Sequence, residues 1–565
     1  MGTKKIMDFF NNRFFEIPRY QRGYAWDADN IRDLFDDITE SKESNSSHFI
    51  GTIVLSRSSD DDRLYYLVDG QQRVATISMM INAILKKLKK RDRDYYHRFY
   101  VKDHYYRLKL LGKDGGYFCD LLEGKKLNPK NNSQKLLKEA YEIINNTIGD
   151  NNNKTLLDLI ERLEVMEFIE DSEGDAIRIF QTVNDRGKIL SNMEKAKSLL
   201  IYFSNRYLKK KLDKKINAIF GEMFDIYADI KNLGEELGIT LIKNKEFTED
   251  SILRYHFISY SDENYDPTPS FVLHYLKESL RTLRNNKQNE FRELDNFINE
   301  YTNSLYKFFK SFKSVIERSI NQVDYYKLFV ILGVSATLYP LLVKMEDIGI
   351  LDKYIQDEVY EKVKFLDLIK LIDVRIYKTR GTDPRAEISR FAFSLNHKKT
   401  EREIKDWLLW FNHRWMKKEE FQSYLHNDMN ENRALQYIFI EYCEWLQKRK
   451  FNIKELKEIS KKQPQIEHIL AQTPKFSFKS HGFKNEKDFI ENEHTLGNLT
   501  LLEKSLNAAA WNKNPSEKVP YYDKSGFKMT KKLSAKIAQI TKFNKQEMEE
   551  RTKGLTSFCM EKWWC

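Results

Sequence analysis

The spacing of apolar residues changes period at one short junction. The strand-like runs "FIGTIVLS" (Phe49 to Ser56) and "RLYYLV" (Arg63 to Val68) predict a hairpin joined through "RSSDDD". Directly afterwards Val74, Ile77, Ile81, Ile84 and Leu88 recur at helical spacing. Between the two periods lies Asp69-Gly70-Gln71-Gln72-Arg73, polar where two packed elements meet. Further on, "LEVMEFIE" predicts another strand, and Ser191 with Glu194 forms an S-x-x-E capping box that opens a helix. Residues 206–400 read as helical. Phe291, Leu294, Ile298, Tyr301, Leu305, Phe308, Phe312 and Val315 alternate steps of three and four, the mark of one long helix with a continuous apolar stripe. The run from Leu328 to Val343 is interrupted by Gly333, Ser335, Thr337 and Pro340. It predicts a buried core helix rather than a membrane span. After residue 400 come two Trp-rich helical stretches. "PQIEHILAQT" and "EHTLGNLTLLEKSLNAAAW" then read as strand, loop, strand and helix, and an amphipathic helix follows near "KQEMEERTKGLTSFCMEKWW". The expected fold is α+β and predominantly helical, in three parts: 1–205, 206–400 and 401–565.

Composition narrows the class. The 565 residues are 41% hydrophobic, which suits a globular chain rather than a disordered one. Lys and Arg number 95 against 84 acids, a formal charge of +11, and aromatics make up 13%. Basic and aromatic residues together favour a nucleic-acid partner. The four cysteines, Cys119, Cys443, Cys559 and Cys565, match neither a zinc ribbon nor a secreted disulfide framework. "MGTKKIMDFF" lacks an apolar signal core. A reducing cytoplasm and no membrane are therefore expected.

Two constellations carry chemistry. The first is Glu467-His468 at a predicted strand end, Asn498 in the next strand-like run, and Asn507 in or at the start of the following helix. Folded as two strands and a helix, these side chains can converge on one cation, the geometry of an HNH (ββα-metal) nuclease. Neutral His468 can take a proton from a water that attacks a phosphodiester. A divalent ion on Asn507 and Glu467 can stabilise charge on the phosphate and the leaving oxygen. Oxygen ligands favour Mg2+ or Mn2+ over Zn2+. Taken singly, a surface histidine and two turn asparagines are the plainer reading.

The second constellation is the junction itself. A strand-to-helix turn offers free N–H groups and a helix dipole to phosphate. Gly70 permits close approach, Arg73 can grip a phosphate, and Asp69, Gln71 and Gln72 can hold Mg2+ or position water. Equally, Asp69 can cap the helix and pair with Arg73. Upstream, "IPRYQRGYAW" sets Tyr20, Tyr24 and Trp26 among Arg19, Gln21 and Arg22. These can stack on and hydrogen-bond a base, or pack as an aromatic rim. Asn184 and Arg186 of "NDRG" can complete a nucleotide site, or the segment is a turn. Arg375, Lys378, Arg380 and Arg385 read equally as DNA-backbone contacts and as a solvated loop.

Together these motifs resemble the GmrSD-type modification-dependent restriction endonucleases, to which SspE and BrxU are related. "IPRYQRGYAW", "YLVDGQQR" and "FQTVNDRGKILSNMEKAKS" resemble the N-terminal domain of that family; "EHILAQ", "GNLTLL", Asn507 and Lys518 resemble its HNH domain. Ala471 stands where the family usually has proline. The resemblance implies a ParB/sulfiredoxin-like domain that binds or hydrolyses NTP (ATP or GTP) and senses modified DNA, with a helical coupling region and an HNH nuclease. In such a protein Asn498 orients His468 or the phosphate, and Lys518 serves the DNA backbone. The expected function is cleavage of modified double-stranded phage DNA in bacterial defence, the modification being glucosylated hydroxymethylcytosine or another. A phosphorothioate-sensing SspE-like nickase, a ParB-like nucleotide-switched DNA-binding protein with a structural HNH module, and an RNA-targeting effector are the alternatives. A homodimer is left open.

Overall fold

The computed structural model describes residues 2–18, 23–44, 49–58, 60–88, 101–102, 105–112, 114–148, 153–171, 191–285, 291–355 and 363–563. The chain divides into two compact units. One comprises Met1–Asn232, Thr248–Arg254 and Pro267–Lys310; the other comprises Leu233–Phe247, Tyr255–Asp266 and Ser311–Cys565. The 206–400 segment, expected as a separate region, is thus shared between them. The boundaries fall within its helices, so that Arg292–Lys310 belongs to one unit and Ser311–Arg318 of the same helix to the other. Among the described residues no helix is long and apolar enough to cross a membrane.

The first unit is built on a mixed sheet. Its strands are β1 (Gly2–Lys5), β2 (Phe14–Ile17), β3 (Phe49–Arg57), β4 (Leu64–Asp69), β5 (Leu108–Leu110) and β6 (Glu164–Glu170), in the order β1-β6-β3-β4-β2-β5. The expected hairpin is β3–β4, antiparallel, with a register shift between Val54 and Leu55. β3 also runs parallel to β6, and β2 runs parallel to β4 and β5. The helices include α1 (Ala28–Ser44), α2 (Gln71–Lys87), α3 (Asn132–Thr147) and α4 (Asn153–Arg162). Ile77, Ile81 and Ile84 of α2 join Phe15, Ile53, Leu55, Leu67 and Leu157 in one buried core. α5 (Asn192–Tyr207) opens with the predicted Ser191/Glu194 capping box. The carboxylate of Asp250 accepts from the backbone N–H groups of Asn192 and Met193 as well.

The long helix is present as α6 (Arg292–Arg318), and Leu294, Ile298, Tyr301, Leu305, Phe308, Phe312 and Val315 are all buried. The Leu328–Val343 run is buried as expected but is not one helix. A π-helical turn (Lys327–Leu332) ends at Gly333, whose φ of +60° reverses the chain; α7 (Tyr339–Asp347) then restarts with Pro340 in its first turn. A left-handed glycine and a proline without an N–H stop helical hydrogen bonding between them. In the second unit Lys327 Nζ meets Glu441 Oε1 at 2.8 Å and Glu444 Oε2 at 2.7 Å, both on α8 (Leu435–Gln447). The same unit carries β7 (Gln465–His468), β8 (Leu499–Leu502), α9 (Lys504–Ala510), α10 (Pro515–Tyr522), α11 (Lys528–Gln539) and α12 (Lys545–Trp563).

Candidate active site

β7 and β8 pair antiparallel, with Glu467 opposite Thr500 and His468 opposite Leu499; α9 follows at once. Two strands and a helix therefore form as the sequence predicts. Strand alternation separates the two functional side chains. His468 Nε2 lies 2.9 Å from Nδ1 of His494, and His494 Nε2 lies 3.3 Å from Glu493 Oε1. Burial, with His494 and Lys518 nearby, lowers the His468 pKa to about 4, so the ring is neutral at pH 7. Burial raises the Glu493 pKa. His494 was missed in the sequence; its signal was an acid–histidine pair, "EH", just ahead of "GNL", the same pair as Glu467-His468.

Glu467 turns inward. Its Oε1 accepts from Tyr522 Oη at 3.0 Å and meets Lys518 Nζ at 2.7 Å. Lys518 also donates to the His468 carbonyl at 2.6 Å. Lys518 is 1% exposed, so it is not a DNA-backbone contact; burial allows it to serve only the strand that carries the site. Burial raises the Glu467 pKa against the pull of Lys518, and lowers that of Lys518 against the pull of Glu467. Both of those bonds use Oε1 of Glu467 and neither uses Oε2. Asn507 Nδ2 donates to Gln465 Oε1 at 2.9 Å, while its Oδ1 is buried without a partner. An orphaned buried acceptor is costly, and an amide oxygen beside a carboxylate strand suits a hard divalent cation. The donor set thus fits Mg2+ or Mn2+. No cluster of three or more His, Cys, Asp or Glu suited to a metal occurs among the described residues.

Asn498 is fully buried. Its Oδ1 accepts from Leu470 N at 2.7 Å, and its Nδ2 donates to the carbonyls of Leu470 and Glu493. Every side-chain polar atom is thus bonded to backbone. It cannot orient the His468 ring or bind phosphate; it pins the segments that carry His468 and His494 to each other. Gly497 has an equally structural role, since a Cβ there would lie 1.8 Å from the Met548 carbonyl of α12. Arg551 on α12 donates to the carbonyls of Leu496, Gly497 and Leu499.

In the first unit, Gly70 is the left-handed N-cap of α2 (φ +87°), and a Cβ on it would meet Ile53 at 3.0 Å. Gly70 at the N-cap has no side chain with which to cap α2. Asp69 pairs with Arg73 at 3.8 Å, and Arg73 also donates to the Ile50 carbonyl at 2.7 Å. Burial lowers the Arg73 pKa and Asp69 opposes the shift. The Arg73 guanidinium lies where a Cβ on Gly51 would be, 2.1 Å from Nη1, so only glycine fits there (φ +106°). Gln71 is buried with Oε1 unpartnered. Gln72 reaches the upstream segment: its Oε1 accepts from Ala25 N at 2.8 Å, and its Nε2 donates to the Gly23 carbonyl.

Tyr24 is 4% exposed, with its hydroxyl 2.7 Å from Thr76 Oγ1, and Trp26 packs against the core. The Tyr24 ring is closed into the sheet–helix core and presents no face to a base, whereas Trp26 is partly buried at its edge. Arg19, Tyr20, Gln21 and Arg22, and likewise Asn184 and Arg186, lie outside the described residues. The remaining basic candidates are spent inside the protein. Arg375 is fully buried and donates to the Met416 carbonyl. Lys378 is held by Asp373 and the Gly333 carbonyl, and Arg380 by the Trp415 carbonyl. Arg385 pairs with Asp266 and Asp383. Charges satisfied in this way do not make a DNA-backbone surface.

The chain thus carries a two-strand-and-helix unit with a neutral histidine and, in its other unit, a strand–DGQQR–helix junction, and its sequence matches restriction endonucleases at both ends. Residues 4–201 match the N-terminal domain of GmrSD restriction endonucleases, and residues 412–558 match the C-terminal domain of GmrSD restriction endonucleases. The chain belongs to the GmrSD restriction endonuclease family. A search of curated proteins finds no match.

Proposed function

We propose that this protein is a metal-dependent endonuclease of the HNH type that cuts modified DNA under the control of a nucleoside triphosphate, in the bacterial cytoplasm. One observation carries the reading: His468 is held neutral on β7, while Asn507 Oδ1, on the helix that packs there, has no partner in the protein. Glu493 Oε1 lies 3.3 Å from His494 Nε2 and favours the tautomer that carries the proton on that nitrogen. His494 Nδ1 then accepts from His468 Nε2–H, which leaves His468 Nδ1 with a free lone pair. That nitrogen takes the proton of a water as the water oxygen bonds to phosphorus and a phosphorus–oxygen ester bond breaks. Glu467 Oε2 and Asn507 Oδ1 would hold Mg2+ or Mn2+, which when bound stabilises charge on the phosphate and leaving oxygen. Lys518 and Tyr522 fix Glu467 for that task.

The N-terminal assignment rests on the start of α2, where the left-handed Gly70 is the N-cap, Gln71 Oε1 is buried without a partner, and the Asp69–Arg73 pair stands at the same end. These suit the phosphates of ATP or GTP. Gln72 ties that turn to Gly23 and Ala25, so a nucleotide that moves the turn also moves the segment around Tyr24 and Trp26. The test is cleavage of glucosylated, hydroxymethylated, phosphorothioated and plain DNA, with and without Mg2+ and nucleotide. His468→Ala should lower cleavage by about 100-fold or more while leaving DNA binding. Unchanged cleavage by that variant sinks the assignment.

A further inference from the structure

We propose that Trp511 is a nucleobase-stacking residue of the nuclease site, set in a lysine-rich surface that follows the DNA backbone. The inference rests on the nuclease reading and names how that site holds its substrate. Trp511 immediately follows α9, and its N–H donates to the Asn507 carbonyl at 2.9 Å. It is 71% exposed, the highest value among the large apolar side chains described as exposed. Its backbone sits at φ +41°, ψ −141°, a region that side-chain-bearing residues rarely enter. A protein that only had to end a helix here would place glycine or asparagine at such a position. Holding a strained backbone in order to present a bare indole marks a functional residue. It lies one helical turn from the unpartnered Asn507 oxygen.

The surroundings define the partner. From Lys504 to Lys545 the chain carries ten lysines and only two acids, Glu517 and Asp523. α9 packs on α10, and α10 on α11. Lys504, Lys524, Lys528, Lys531, Lys532 and Lys542 are exposed. Lys528, Lys531 and Lys532 fall at i, i+3 and i+4 and share one face of α11. A membrane would need a continuous apolar face, whereas a single indole among lysines matches a stacking base beside phosphates.

The experiment uses the full chain with His468→Ala, so that DNA is bound but not cut. The probes are short duplexes carrying 2-aminopurine, whose emission reports the stacking of that base, made plain and with glucosylated, hydroxymethylated or phosphorothioated positions. Trp511→Ala should bind about 5- to 100-fold more weakly and lose the emission change, and Trp511→Phe should recover most of both. Trp511→Gly relieves the backbone, so it should melt at or above the parent temperature while binding as poorly as Trp511→Ala. That outcome separates lost stacking from misfolding. Replacing Lys528, Lys531 and Lys532 by alanine should flatten the salt dependence of binding. Equal affinity and emission in parent and Trp511→Ala overturn the inference while cleavage by the unsubstituted protein leaves the nuclease reading standing. A loss confined to RNA probes overturns DNA as the partner, and no nucleic-acid binding by any variant overturns both.

Discussion

His494 enters the site through one hydrogen bond to His468 Nε2, which on the proposed mechanism leaves Nδ1 to act as the base. His494→Ala should therefore reduce kcat about 10- to 100-fold, the range seen when a ring-orienting partner is lost, with KM little changed. His494→Asn, which retains an acceptor, should recover part of the loss; steady-state cleavage assays decide, and an unchanged kcat in the alanine variant removes His494 from the site. The residue scale also shows where reading side chains one by one misleads. Asn498 and Lys518 have the right residue types for catalysis and DNA contact, yet both are consumed by neighbours. Tyr24 has the right type for stacking, yet it fills the core. A residue type states what a group is able to do; only its partners state what it has left to do it with.

At the scale of elements, the local patterns were legible. The β3–β4 hairpin, α2, the Ser191 capping box, the stripe on α6 and the β7–β8–α9 order all follow from period and cap signals within a few residues. The break at Gly333 was less so, because an apolar run looks alike whether it is one helix or two. Contacts distant in sequence hold these elements together. Lys327, Glu441 and Lys562 join the π-helical turn, α8 and α12 through a buried carboxylate. Burial opposes ionisation of Glu441, but Lys327 and Lys562 outweigh it and bring its pKa down to about 2. Since the folded value lies below the unfolded one, this stabilisation is full above pH 4.5 and is lost as pH falls toward 2. Glu441→Gln should cost about 3 kcal/mol at pH 7, the low end for breaking a buried pair, because Glu444 still faces Lys327. Urea unfolding of the two proteins should converge at low pH; a gap that persists at pH 2 contradicts the assignment.

At the scale of the whole molecule, one chain carries the DGQQR turn, proposed to bind nucleotide, and the His468 site, proposed to cut DNA. If the first governs the second, Arg73→Ala should weaken ATP or GTP binding about tenfold or more and abolish any effect of nucleotide on cleavage. Titration calorimetry and cleavage rates measure the two consequences, and an undiminished nucleotide response in the variant separates the turn from control of cutting. Because Arg73 also holds the Ile50 carbonyl, a melting curve must accompany the comparison. The sequence by itself determined the family, the order of its motifs, and the strands and helices that carry them, because caps, periods and short motifs are local. It did not determine which of those side chains are free to act. The tertiary structure decided that: it closed Asn498, Lys518 and Tyr24 into internal hydrogen bonds, brought His494 to His468, and left Asn507 Oδ1 and the indole of Trp511 without partners. Hydrogen-bond satisfaction depends on atoms brought together from distant parts of the chain, and no window of sequence contains them.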